Sequence, residues 1–293
     1  MRPVTVIVNR SSGSAAGKLD DLHPLLARAG LNATVMDLCG DQIAAAATRA
    51  SRAGHVVIAA GGDGTVSTVA GIAVRSGATF GVIPLGTLNH FARDAGIPLD
   101  LEKAVAAIAA GRSRALDVGI MNDAVFINNA SLGLYPQLVW ERQQEQSRGR
   151  RKSIAFFIAL IRTWRRYPTV VVHMTVDGVV LVRRTPFVFI GNGEYRAEGM
   201  GIGTRASVDS GTLGVYLAPG IGRVEFLRLP IRALRGQLRS EQKFESFRAC
   251  EITIETGAPH VDVALDGELK AAKTPLRFSI RRGALMTLLP DGA

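Results

Sequence analysis

His55-Val56-Val57-Ile58-Ala59-Ala60-Gly61-Gly62-Asp63-Gly64-Thr65, continued by Val66 to Val74, carries the clearest signature of the fold. The run from His55 to Ala60 is apolar without alternation, as expected of a strand buried on both faces. Three glycines within Gly61 to Gly64 break it, and the apolar residues after Thr65 recur at helical spacing. A strand, a glycine turn and a helix in that order are the first half of a parallel crossover unit.

Working outward, the same alternation repeats. Val4 to Val8 is a strand candidate, followed by a polar loop from Asn9 to Gly17 and a helix over Leu19 to Ala29. Asp41 is placed to cap a helix ending near Arg52, Phe80 to Pro84 is another buried strand, and Leu101 to Ala110 another helix. Residues 1–124 therefore read as an α/β domain with a doubly wound, mostly parallel sheet. Beyond Ala124 the period changes. Thr169 to Val176, Asp177-Gly178 and Val179 to Arg183 form a hairpin signature. Cys250, Ile252 and Ile254 alternate with polar residues, as do Val261, Val263 and Leu265. Residues 125–275 thus read as an all-β, sandwich-like second domain abutting the first across a cleft.

Composition agrees. A length of 293 residues suggests two domains at roughly 150 residues each. Apolar residues at 47% against 20% charged exclude extensive disorder, while 6% aromatic makes the cores aliphatic. Two cysteines, Cys39 and Cys250, cannot build a disulfide framework or a Cys-x-x-Cys metal site. The N-terminus has no signal-peptide pattern, and the apolar stretch Ile154 to Ile161 is far shorter than the ~20 residues of a membrane span. A cytoplasmic protein is expected.

The formal charge of +10 calls for an anionic partner. No aromatic residues interleave with the basic ones and no recognition-helix or zinc-finger pattern exists, so nucleic acid is not that partner. Two basic helical segments, Ser153 to Arg166 and Gly222 to Gly236, read equally as anionic-membrane contacts at the inner face or as ordinary core-facing helices with a solvated side.

The chemistry starts at the glycine turn. Gly61, Gly62 and Gly64 let the main chain approach phosphate oxygens, and the following helix turns its N-terminal amides to the same spot. Asp63 among them would repel phosphate unless it works through Mg²⁺. Thr65 closes the loop. A second loop, with Gly86, Thr87, Asn89 and His90, lies at the same carboxyl edge of the sheet, and Asn9, Ser12 and Gly13 should join it. Neither a P-loop nor a dinucleotide fingerprint is present. Farther on, Asp266 and Glu268 flank Gly267 at the end of an alternating strand. One such carboxylate can take a hydroxyl proton while the other supports a metal or positions the base.

Gly61-Gly62-Asp63-Gly64-Thr65, Pro84 to Asn89, Asp117-Val118-Gly119, Gly191-Asn192-Gly193 and Leu265-Asp266-Gly267-Glu268, in this order, resemble the bacterial diacylglycerol-kinase-like lipid kinases, relatives of the sphingosine kinases. The resemblance runs along nearly the whole chain. It implies an α/β nucleotide domain, a β-sandwich, and a C-terminal segment (276–293) returning to the first domain. It also implies ATP and Mg²⁺, a lipid substrate such as diacylglycerol, and Glu268 as general base. Four positions depart from the family pattern. Thr68 and His90 stand where acidic residues are common, and Met36 where some members use Thr. Ser210 replaces the Asp of a structural metal site, for which Asp209 is the substitute candidate. These departures keep open a non-catalytic nucleotide- and anionic-lipid-binding protein of the same fold. NAD kinase is the lesser alternative, as it needs a second glycine loop in the β domain.

Overall fold

The computed structural model describes residues 3–10, 19–134, 136–137, 139–140, 162, 169–198, 201–205, 207–220, 222 and 245–290. The chain divides into two compact units, Met1–Val118 with Ser207–Ser210 and Arg281–Ala293, and Gly119–Ala206 with Gly211–Ile280.

The first unit holds β1 (Val4–Asn9), α1 (Leu19–Arg28), β2 (Ala33–Leu38), α2 (Gln42–Arg52), β3 (Val56–Gly61), α3 (Asp63–Ser76), β4 (Phe80–Pro84), α4 (His90–Asp94), α5 (Leu101–Ala109) and the first part of β5 (Ser113–Met121). Its sheet runs β2-β1-β3-β4, with every pairing parallel. Strands β1, β3 and β4 lie between helices, which is why their sequences are almost wholly apolar. Val6, Val8, Ile58, Ala60, Ile83 and Leu85 pack there against Leu22, Leu26, Val105 and Ile108. Each such Val, Leu or Ile contributes about 2 kcal/mol by leaving water.

Helix α3 begins at Asp63, three residues before the expected Val66, because Gly62 is its extended N-cap. It ends at Gly77, whose φ of 68° lets its N–H turn back to the Ala73 carbonyl. Asp41 does stand at the start of α2, but its backbone is already helical and its side chain makes no capping bond. Asp100 supplies a true cap for α5, accepting the Lys103 N–H.

The second unit follows with the end of β5, then β6 (Ala124–Phe126), β7 (Asn129–Gly133), β8 (Val170–Val176), β9 (Val179–Thr185), β10 (Phe187–Asn192), β11 (Tyr195–Glu198), β12 (Gly201–Arg205), β13 (Leu213–Leu217), β14 (Glu245–Ala249), β15 (Glu251–Thr256), β16 (His260–Leu265), β17 (Glu268–Lys273) and β18 (Leu276–Leu288), which ends in the first unit beside β4. One antiparallel sheet runs β14-β13-β10-β7-β16-β17. The strands β9, β8, β15 and the start of β18 make a second layer. Leu132, Val188, Ile190, Val215 and Val263 from the first layer share a core with Val172, Met174, Ile252, Ile254 and Phe278 from the second. That is a sandwich. The segments 153–166 and 222–236, expected as basic helices, lie outside the described residues save Arg162 and Gly222.

On β13 the Tyr216 hydroxyl accepts the Tyr195 N–H at 2.8 Å and donates to the Tyr195 carbonyl at 3.3 Å. Burial pushes its pKa up, opposed in part by the bond from Tyr195. A raised folded pKa means that the phenol's contribution is whole below its unfolded pKa, near 10, and is lost as pH rises toward the folded value. Tyr216→Phe should cost about 1 kcal/mol at neutral pH in urea unfolding. The gap to the parent protein should narrow in alkaline solution; a constant gap would contradict this assignment.

Candidate active site

In the first unit two loops meet at the carboxyl ends of β3 and β4. The Asp63 carboxylate accepts two main-chain amides of the second loop, Asn89 N–H at 3.0 Å and His90 N–H at 2.7 Å. Asn89 in turn accepts the Gly86 N–H at 3.0 Å and donates to the Gly86 carbonyl at 2.8 Å. Its left-handed backbone (φ 52°) is tolerated by Asn and starts α4. The Leu85 N–H reaches the Gly61 carbonyl at 2.9 Å, a third tie between the loops. From β1, the Asn9 amide donates to the buried Thr65 hydroxyl at 2.8 Å.

The loops touch so closely that a Cβ on Gly86 would lie 2.6 Å from the Gly62 Cα and 2.7 Å from the Asn89 Oδ1. Only glycine permits that approach. The expected phosphate-binding residues therefore divide by environment. Asn9, Thr65 and Asn89 knit the loops from within, Gly62, Asp63 and Gly64 are half-buried, and Thr87 is exposed. The first-turn amides of α3 have no partner inside the helix and issue from this junction. Ser12 and Gly13 lie outside the described residues.

In the second unit, Asp266 (φ 48°) and Gly267 (φ 85°) form the two-residue turn between β16 and β17. Glu268, paired with Leu265, is the first residue of β17 and is exposed. Asp266 is engaged otherwise. Its carboxylate accepts the N–H groups of Ile127 at 2.9 Å, Asn128 at 2.8 Å and Asn129 at 3.0 Å. Of the two acids, Glu268 faces solvent and Asp266 anchors the turn.

Asp117 is buried in the first unit, where it accepts the Gly283 N–H at 2.8 Å and donates its own N–H to the Val208 carbonyl. It ties the C-terminal strand to β5. Asp209 is held by Arg114 at 2.8 Å and by the Ser207 hydroxyl, and its pKa is lowered mainly by Ser207 and next by Arg114. A guanidinium already neutralises the carboxylate considered for a second metal. Thr68 donates to the Gly64 carbonyl, and His90 contributes its main-chain amide to Asp63. Among the described residues no group of three or more His, Cys, Asp or Glu side chains could cage a metal ion, and no helix is long and apolar enough to cross a membrane. Sequence reading passed over Arg205, buried beneath the 127–129 segment, because its partner Ile127 is 78 residues away.

Comparison with known proteins bears on this arrangement. Residues 3–121 match the diacylglycerol kinase catalytic domain, and residues 137–289 the YegS C-terminal NAD kinase beta sandwich-like domain. A "probable lipid kinase YegS-like" protein of Pseudomonas putida is 31% identical over 241 residues, 81% of this chain and 78% of that protein. A diacylglycerol kinase of Staphylococcus aureus is 30% identical over 287 residues, 93% of this chain and 88% of its own length. The crystal structure of a diacylglycerol kinase from Bacillus anthracis superposes with a TM-score of 0.72 at 19% identity, covering 99% of this chain and 97% of that one.

Proposed function

The chain belongs to the diacylglycerol-kinase-like lipid kinases, and from that premise we propose that it transfers the γ-phosphoryl group of ATP to the hydroxyl of a lipid, most simply diacylglycerol. The observation that carries this reading is the junction of Gly61 to Thr65 with Gly86 to Asn89. There the Asp63 carboxylate ties the Asn89 and His90 amides, and glycine backbone and the first turn of α3 lie at the sheet edge where α/β folds bind phosphates. Thr87, exposed in the second loop, offers its hydroxyl to ribose or phosphate.

The residues present suit a magnesium nucleotide. Each Asp63 oxygen accepts its amide and keeps further lone pairs. Mg²⁺ needs only one or two carboxylates, because phosphates and waters supply its remaining ligands. When bound it would neutralise charge on the transferring phosphoryl group. Glu268 accepts the proton of the lipid hydroxyl as the oxygen attacks phosphorus, and ADP leaves. The excess positive charge favours work at an anionic bilayer surface.

Purified protein incubated with ATP, Mg²⁺ and a panel of lipids in vesicles, with products read by mass spectrometry, tests the reading. A mass gain of one phosphate on a hydroxyl lipid is expected. ATP binding without a phosphorylated product from any lipid would favour the non-catalytic alternative.

A further inference from the structure

The buried Arg205 has no role in the reaction so far. It is only 6% exposed, at the end of β12. Its Nη1 donates to the Ile127 carbonyl at 2.7 Å and the Asn192 carbonyl at 3.2 Å, and its Nη2 reaches the Asn128 Oδ1 at 3.5 Å. Asn192 Nδ2 donates to the same Ile127 carbonyl at 3.1 Å, and the Asn192 N–H to the Asn128 carbonyl at 2.8 Å. The segment 127–129 is therefore gripped from both edges. The Ile127 carbonyl meets Arg205 and Asn192, the Asn128 carbonyl meets Asn192, and the three N–H groups converge on Asp266.

We infer that Arg205 is a positioning residue for Glu268, acting through the 127–129 segment and the Asp266 carboxylate. The inference rests on the reading of Glu268 as the base. A cation at the carbonyl end of a peptide unit polarises it and strengthens the N–H at the other end. Of the three amides on Asp266, the Asn128 N–H belongs to the peptide unit whose Ile127 carbonyl Arg205 holds. The Asp266 N–H also reaches the Asn129 carbonyl at 2.8 Å, so side chain and main chain both pin the turn. Glu268 follows two residues later, and its carboxylate inherits that register. A buried guanidinium is costly to desolvate, and an aliphatic side chain of similar length would fill the space at less cost. The fork of Arg spans the Ile127 and Asn192 carbonyls through Nη1 and the Asn128 Oδ1 through Nη2, a spread that a single ammonium nitrogen does not match.

Arg205→Met, Arg205→Lys and Asp266→Asn test this, each made with Glu268 intact and with Glu268→Gln. Asn-Gly keeps the turn type, so Asp266→Asn preserves the fold should Arg205→Met fail to fold. With Glu268 present, Arg205→Met and Asp266→Asn should each lower kcat about 10²-fold with KM for ATP unchanged, and Arg205→Lys less. With Glu268→Gln present, neither should lower the residual rate further, because there is no base left to misplace. A purely structural role would give the same fractional loss in both backgrounds and would overturn the inference, as would full kcat in folded Arg205→Met or Asp266→Asn. If Glu268→Gln itself kept parental turnover, the base assignment would fall first, a separate result.

Discussion

Glu268→Gln should lower kcat for lipid phosphorylation by about 10²- to 10⁴-fold while leaving ATP binding and thermal stability near those of the parent. The amide is isosteric and cannot accept a proton at neutral pH. Glu268 is exposed at the start of β17, and Gln can keep its main-chain pairing with Leu265. The loss should therefore fall on the chemical step. Single-turnover kinetics with radiolabelled ATP, beside a nucleotide-binding isotherm, separates the two. Weakened binding with an unchanged chemical step would assign Glu268 to substrate capture.

Asp63→Ala should produce a different pattern, in which stability, ATP affinity and turnover all fall. The variant leaves the Asn89 and His90 amides without their acceptor, which costs about 1–3 kcal/mol in unfolding experiments. It also loosens the contact between Gly86 and Gly62 and removes the one acidic side chain of the glycine turn. Turnover should drop at least about 10²-fold. Asp63→Asn separates the two contributions. Its amide oxygen can still accept an N–H, so much of the stability should return. If the carboxylate charge serves a bound cation, activity should stay low and rise with added Mg²⁺ less than in the parent. Full activity in Asp63→Asn would reduce Asp63 to a structural tie.

The features legible in the sequence are those with local causes. Strands β1, β3 and β4 announce themselves because both faces are buried, so nearly every position is apolar; Thr5, buried in β1, has its hydroxyl bonded to His55. Strand β2 does not, since it lies at the sheet edge half-exposed and its pattern is mixed. The hairpin at Asp177-Gly178 is readable because few dipeptides accept two positive φ angles. The short α4 has no such signal.

The candidate site divides along the same line. Its glycine turn and its carboxylate turn are contiguous and could be read directly. What orients them is spread along the chain. Asp63 is held from 26 and 27 residues away, and Asp266 from up to 139 residues away. Asp63, out of place in a phosphate loop by charge alone, is explained by two amides that no local pattern announces. Arg205 likewise looks like any basic residue until the fold buries it against the Ile127 carbonyl and the Asn128 side chain.

Phosphorus is proposed to move from nucleotide to lipid with Glu268 as the proton acceptor. Parent protein and Glu268→Gln, given γ-labelled ATP, Mg²⁺ and diacylglycerol in mixed micelles at matched nucleotide occupancy, test it most directly. Labelled phosphatidic acid is expected from the parent and almost none from the variant. Equal label from both, or none from a nucleotide-bound parent, would contradict it.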